Sequence, residues 1–319
     1  MKEDVRYVGA HTDLRDEVVE AIWPIPEFEG HLIKSKESLN EGISMIEVEA
    51  PMIARKIKPG QFVIFRLHEK GERLPFTVFE RDLERGTITV IFQKVGKSTH
   101  ELDALKEGDR ILDVVGPLGV PTPIRKYGTV VCVGGGVGVA ELYPLVVAMK
   151  SAGNKVVVIT GFRTKELVLC EDKLLQYADE LYVTTDDGSY GRGMWGGKGF
   201  VTDALKEMIN YPMSVDPYAG VNIDIVFAVG PVIMMKYVCE VTRPFGIHTM
   251  VSLNPIMLDG TGMCGSCRVR VDGQMKFACV DGPEFDGHKV DFYELMQRQE
   301  MFRRQEQTSL ENYRCGCEH

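Results

Sequence analysis

Over residues 30–120 apolar and polar positions alternate in short runs such as FVIFRL (62–67) and TITVIF (87–92), cut by turn-forming clusters at 59–60, 84–86 and 107–108. Period-two runs between such punctuation predict antiparallel strands, and a succession of them predicts a β-barrel. From residue 127 the pattern changes to continuous apolar runs: VVCV (130–133), VVVIT (156–160), ELYVT (180–184), IVFAV (225–229) and HTMVS (248–252). Separated mostly by segments of helical length, these predict parallel strands of a doubly wound sheet. Further on, RVRV (268–271), the pair Asp272-Gly273 and QMKFA (274–278) read as strand, type I′ turn and strand. Residues 297–319 form a polar, charge-rich tail that reads as exposed and helical. The expected fold class is therefore multidomain β plus α/β. Residues 1–28 make an N-terminal extension, 29–125 an antiparallel β-barrel, 126–254 a doubly wound parallel-sheet domain, 255–296 a small C-terminal domain and 297–319 the tail.

The C-terminal hairpin belongs to a metal-type motif. In DGTGMCGSC (259–267) four residues separate Asp259 from Cys264 and two separate Cys264 from Cys267, and eleven more lie between Cys267 and Cys279. That spacing matches the plant-type arrangement for a [2Fe–2S] centre, with Asp259 in the position of the first thiolate. Gly260, Gly262 and Gly265 free the backbone to wrap a compact cluster. Counting outward from the turn, Val271 faces Gln274 and Cys267 faces Ala278, so Cys279 returns beside Cys267. Three thiolates and a carboxylate also suit a structural zinc knuckle, which stays open here together with unliganded thiols.

A second motif closes the first parallel strand. The turn VGGGVGVA (133–140) opens a helix, so that backbone N–H groups and the positive helix end can receive a pyrophosphate at Gly134, Gly135, Gly136 and Gly138. Residue 139 is Val where the dinucleotide fingerprint has its third glycine, and tight packing of helix on strand is the alternative reading. The other strand ends add Gly161 and Arg163, Asp186 and Asp187, and Gly230 with Pro231, all at carboxyl ends where ligands of open α/β sheets bind. A carboxylate after the third strand favours a ribose 2′-hydroxyl, so NAD(H) is the expected nucleotide. Arg163, Lys165 and Arg192 lie on loops that could reach a phosphate.

Composition narrows the setting. The 319 residues are 44% hydrophobic and 26% charged, enough to bury large cores in two or three domains. The balance of 37 Lys and Arg against 46 Asp and Glu, net −9, argues against a nucleic-acid partner. No stretch approaches the roughly 18 apolar residues of a membrane span, and residues 1–14 alternate charges instead of building a signal peptide. The expected location is cytoplasmic, where eight cysteines serve as ligands and buried thiols and not as disulfides. Cys132 and Cys239 read as buried small hydrophobes, Cys170 as packing, Cys315 and Cys317 as free thiols of a frayed tail, Met234, Met235 and Met250 as core, and Asp286 and His288 as loop positions.

The order of barrel, GGGVGVA turn and C-terminal cluster segment resembles the ferredoxin reductase-like electron-transfer subunits, among them that of dihydroorotate dehydrogenase B. DGTGMCGSCR with FACVDGPEFDGH (277–288) closely resembles the small subunits of the electron-bifurcating NADH-dependent reduced ferredoxin:NADP oxidoreductases; the dihydroorotate family carries Cys at the position of Asp259. The resemblance covers residues 30–296 and implies that the barrel carries FAD. Arg73, Pro75, Phe76 and Thr77 would meet the flavin, with Thr77 on its edge and Phe76 near the ring, and Gly96, Ser98 and Thr99 would hold its pyrophosphate. Arg73 lies one residue too early for the reductase pattern, and by itself RLPFT reads as a strand edge with a surface arginine. The implied oxidoreductase subunit moves electrons between NAD(H) and a partner through FAD and the [2Fe–2S] cluster, because a nicotinamide gives two electrons at once and a cluster passes one. The implied partner is a larger flavoprotein subunit with FAD and [4Fe–4S] clusters, forming a heterodimer through which ferredoxin and NADPH react. The alternatives are a dihydroorotate dehydrogenase subunit, a free-standing NADH:acceptor reductase and a zinc-containing nucleotide-binding regulator.

Overall fold

The structure, a computed structural model, describes residues 29–211 and 222–316. The expected N-terminal extension over residues 1–28, and Cys317, lie outside the described residues. From His31 onward the chain forms one compact unit.

The alternating region folds into strands β1 (His31–Asn40), β2 (Ile43–Glu49), β3 (Phe62–Arg66), β4 (Arg73–Thr77), β5 (Glu80–Asp82), β6 (Thr87–Gln93), β7 (Arg110–Ile111) and β8 (Asp113–Leu118). They make two sheets, ordered β5-β6-β2-β1-β7 and β4-β3-β8, with antiparallel neighbours throughout. Helices α1 (Pro51–Lys56) and α2 (Lys97–Ala104) accompany them. Alternation sends one set of side chains inward: Ile46, Val48, Val63, Phe65, Ile88, Val90 and Phe92 form one buried core.

The continuous apolar runs become β9 (Thr129–Gly135), β10 (Lys155–Phe162), β11 (Glu180–Thr185), β13 (Ile225–Val229) and β14 (Thr249–Ser252), with a short β12 (Gly197–Lys198) on the edge. They pair in parallel in the order β12-β11-β10-β9-β13-β14. Helices α3 (Gly138–Ser151), α4 (Glu171–Leu175), α5 (Val201–Asn210) and α6 (Val232–Thr242) cross over between strands. One sheet face packs on α3 through Val130, Cys132, Leu142, Val146 and Val158, the other on α5 and α6 through Val131, Val133, Leu205 and Met235. Burial on both faces explains why these strands read as unbroken apolar runs. The strand order reverses between β9 and β13, and their carboxyl ends open a crevice there.

The cluster segment adds β15 (Arg268–Val271), β16 (Gln274–Phe277), a single turn α7 (Ala278–Asp281), β17 (Glu284–Asp286), α8 (Phe292–Gln299) and the tail helix α9 (Arg303–Cys315). This segment does not keep a core to itself. β17 pairs antiparallel with β14 and extends the parallel sheet by one strand, and Cys267, Ala278, Cys279, Phe285 and Leu295 share a core with Val131 and Val226. A strand added at β14 satisfies amides that would otherwise stand open on an edge. The tail helix buries none of its residues and meets α2 through a stacked His100–Tyr313 pair, ring centroids 6.4 Å apart.

Candidate electron-transfer site

The hairpin forms in the register that its turn demands. Val271 pairs with Gln274 and Arg268 with Phe277, while Asp272 (φ 53°) and Gly273 (φ 72°) adopt the two left-handed conformations of a type I′ turn. One step beyond the ladder the N–H of Ala278 donates to the carbonyl of Cys267 at 3.1 Å, and the Cys267 and Cys279 Sγ atoms stand 3.1 Å apart. Both are buried, and burial, with Cys267 alongside, pushes the Cys279 thiol up to about 12. Cys264 is exposed on the loop. Burial opposes its ionisation, but the N–H and hydroxyl of Ser266 outweigh it and lower the thiol below its ordinary range.

Asp259 is held by backbone amides of the same loop. Its carboxylate accepts the N–H of Thr261 at 2.9 Å and of Cys264 at 2.7 Å, and those amides hold it below the usual carboxylate range. The expectation of four converged ligands is therefore not met in this geometry: among the described residues no group of three or more His, Cys, Asp or Glu stands close enough to hold a metal ion. The physical reason is local, since an aspartate just ahead of free amides caps them as an Asx turn does. The donor chemistry fits an iron–sulfur cluster nonetheless. Two thiols adjoin, the N–H of Gly262 bonds Cys279, and Gly260 and Gly262 (φ 75° and 84°) take positive φ where a Cβ would meet Leu118 and Val280 at under 3 Å.

At the switch point of the sheet lies a cavity of about 750 Å³. Of the predicted nucleotide residues it is lined by Gly135, Gly136, Gly138, Gly161, Arg163, Asp186, Gly230 and Pro231. The glycines divide their work. A Cβ on Gly138 would lie 2.7 Å from the carbonyl oxygen of Val229, and one on Gly134 would lie 2.9 Å from Val139, so these two serve close helix–strand packing. Gly136 (φ 56°) has nothing within 4 Å of such a Cβ and presents its backbone to open space. Close packing is thus the work of Gly134 and Gly138, while Gly136 leaves its backbone open to the cavity.

Gly134 and Asp187 do not line the cavity. Gly134 is buried under α3, and the Asp187 carboxylate accepts the N–H and hydroxyl of Ser189 at 2.9 and 2.7 Å, which lowers its pKa. Arg192 is engaged by Glu171 at 2.5 Å. Met234, expected in the core, lines the cavity beside Gly135 and Gly230. Glu141, Phe200, Tyr237 and Asn254 line it too, and sequence reasoning did not single them out. A carboxylate in the first helical turn is ordinary dipole chemistry, so Glu141 carried no special signal.

On the barrel, strand parity divides β4. Leu74 and the half-buried Phe76 pack against the barrel core, Phe76 meeting Phe65 edge-on at 5.3 Å and Phe92 at 5.8 Å. Arg73, Pro75 and Thr77 share the opposite face, with Arg73 and Pro75 exposed. Gly96 caps α2 beside open space. Thr99 Oγ1 accepts the N–H groups of Val95 and Gly96, both at 3.0 Å, and the buried Ser98 hydroxyl donates to Glu72. The two hydroxyls thus shape the turn and leave the helix end to its backbone amides, an arrangement that fits a phosphate. Cys132 and Cys239 are buried as expected, whereas Cys315 is disulfide-bonded, against the expectation of free thiols.

A two-sheet antiparallel barrel followed by a doubly wound sheet defines a ferredoxin reductase-like electron-transfer protein. The same fold is present in a ferredoxin NADP⁺ reductase from Neisseria gonorrhoeae with bound FAD and NADP, at TM-score 0.53, 14% identity and coverage of 68% of this chain and 90% of that one. Residues 132–240 match the oxidoreductase NAD-binding domain, and residues 254–291 the iron–sulfur cluster binding domain of dihydroorotate dehydrogenase B. The Thermotoga maritima homolog of the dihydroorotate dehydrogenase B (NAD(+)) electron transfer subunit is 48% identical over 281 residues, 88% of this chain and 94% of its own length. The subunit from Geobacillus thermodenitrificans is 32% identical over 267 residues, covering 81% and 96%. A solved chain of the NADH-dependent reduced ferredoxin–NADP oxidoreductase, described for flavin-based electron bifurcation, superposes at TM-score 0.80 with 47% identity, covering 89% of this chain and 98% of that one. This chain belongs to the family of dihydroorotate dehydrogenase B electron-transfer subunits and their homologues.

Proposed function

We propose that this chain is the NAD(H)-facing electron-transfer subunit of a bifurcating NADH-dependent ferredoxin:NADP oxidoreductase. The observation that carries the reading is the joining, in one compact unit, of a cavity in the domain that matches the oxidoreductase NAD-binding family to a hairpin that brings two thiols within 3.1 Å of each other. The 47% identity over 89% of the chain supports the particular assembly. Family members are subunits of larger complexes, so the chain works as one part of a heterodimer with a larger subunit. That partner is proposed to be a flavoprotein with FAD and [4Fe–4S] clusters, through which NADPH and ferredoxin react. Among the described residues no helix is long and apolar enough to cross a membrane, and a cytoplasmic location is proposed.

The nucleotide is proposed to lie in the cavity with its phosphates against Gly135, Gly136 and the amino end of α3, and Asp186 toward the adenosine ribose. Flavin, when bound, supplies the conversion of one hydride into two single electrons. The amides of the Gly96 turn would receive its pyrophosphate, and the outward face of β4, with Arg73, Pro75 and Thr77, its ring. Cys264, Cys267, Cys279 and Asp259 would hold a [2Fe–2S] cluster, which requires Asp259 to leave its amides. The division at residues 29–125, 126–254 and 255–296 is proposed for flavin, nucleotide and cluster functions, although β17 physically joins the last two. Dihydroorotate dehydrogenation is the second reading, favoured by the names of the relatives.

The test is the anaerobic visible spectrum of the isolated chain before and after one equivalent of NADH, with iron and flavin assayed on the same sample. Flavin bands that bleach in a protein holding two irons per chain are expected. A colourless, zinc-loaded protein would sink the assignment.

A further inference from the structure

Glu141 occupies the seam between the two halves of the proposed relay. It lies in the first turn of α3 on the wall of the nucleotide cavity, and its Oε2 accepts the Thr77 hydroxyl at 3.2 Å from the barrel. Thr77 ends β4 on the outward face shared with Arg73 and Pro75. The cavity's other ionisable groups are Arg163 and Asp186 past β10 and β11 and Tyr237 on α6; the barrel contributes neutral Ile43 and Gln93. On α4, which also packs on α3, Lys173 is committed to Glu80 and Glu171 to Arg192. Burial raises the Glu141 pKa against the pull of the Thr77 hydroxyl, which suits a group that must take up a proton.

We propose that Glu141, acting through the Thr77 hydroxyl, is the acceptor for the proton that leaves the flavin when its two electrons depart singly; this rests on the reading of the β4 face as the flavin site. The balance is as follows. Hydride transfer breaks the C4–H bond of NADH and forms an N5–H bond, carrying both electrons. Two one-electron acceptors, the cluster in the protein or ferricyanide in an assay, then remove the electrons. The flavin returns to its oxidised form only if the N5–H bond also breaks. Thr77 Oγ1 receives that proton while its own hydroxyl proton passes to Glu141 Oε2, and one carboxylate becomes one carboxylic acid per hydride. Release into the cavity completes the cycle.

The experiment compares wild type, Glu141→Gln and Glu141→Asp as full FAD-loaded chains, reduced by one equivalent of NADH and discharged with ferricyanide over a series of pH values. Wild type slows as pH falls and Glu141 becomes protonated. Glu141→Gln is slower by about 100-fold, in the range general-base contributions span, and its rate is flat with pH; Glu141→Asp keeps a pH profile with a displaced midpoint. The oxidised flavin bands of wild type shift with pH at the midpoint of the rate, and those of Glu141→Gln do not move. A Gln variant with full flavin and the wild-type profile overturns the relay and leaves the flavin reading standing. If the Gln variant loses its flavin, an Asp variant with unchanged rate and midpoint overturns it equally. A wild-type chain that binds no FAD overturns both.

Discussion

Gly136 and Gly138 stand two residues apart in one turn and answer different demands. A Cβ on Gly138 meets backbone at 2.7 Å, which cannot swing aside, so Gly138→Ala is expected to cost about 1–3 kcal/mol, read as a lowered thermal midpoint. Gly136→Ala meets nothing, pays only the left-handed conformation, about 1–2 kcal/mol, and should show itself chiefly as weaker NADH binding. At the cluster loop, Asp259→Cys should retain iron with an altered potential while Cys264→Ala loses it; unchanged iron content and EPR signal in both would remove these residues from the ligand set. A buried acid gives the pH prediction. Glu284 is pushed up to about 7 by burial, opposed by the Thr122 hydroxyl at 2.8 Å, and its Oε2 has no partner. Its native pKa lies above the unfolded value of 4.5, so its contribution is complete below pH 4.5 and is lost as pH rises towards 7. The loss is on the order of 3 kcal/mol. Thermal midpoints of wild type should run with those of Glu284→Gln at low pH and fall below them as pH rises through that window, and parallel curves would remove the assignment.

Among the elements, the β15–β16 hairpin connects turn chemistry to metal chemistry. Its two turn residues take positive φ, Arg270 pairs with Glu294 of α8 at 2.7 Å, and the Asp291 N–H donates to the Arg270 carbonyl at 2.9 Å. Gly273→Val should therefore cost about 1–2 kcal/mol and, by loosening the register that sets Cys267 beside Cys279, lower the iron bound per chain in proportion. Full iron with a lowered midpoint would separate the hairpin from the cluster. The strands and this hairpin were legible in the sequence because period and turn residues are local signals. The contacts of Phe76 with Phe65 and Phe92 were not, since they depend on the pairing of β4 with β3 and on strands distant in the chain. The union of β17 with β14 was equally hidden, because a three-residue strand carries no pattern of its own and gains its place from an edge elsewhere.

For the whole molecule, assembly is the testable property. Co-expressed with the larger subunit of its complex, the chain should elute as a heterodimer in size-exclusion chromatography with light scattering; elution alone would favour a free-standing reductase. The sequence by itself determined the succession of barrel, parallel sheet and cluster hairpin, the glycine turn at Gly134 to Gly138, and the donor types at 259, 264, 267 and 279. Each is written in neighbouring residues: a period, a turn pair, a spacing. Only the tertiary structure decided that Gly138 packs while Gly136 opens to the cavity, that Asp259 caps its own amides, that Met234 packs on the core and also lines the cavity, and that Glu141 meets Thr77 across the seam. Thr77 and Glu141 are 64 residues apart in the chain. Contacts of that kind depend on how one layer is laid against another, and a property of two surfaces cannot be read from either strand of sequence alone.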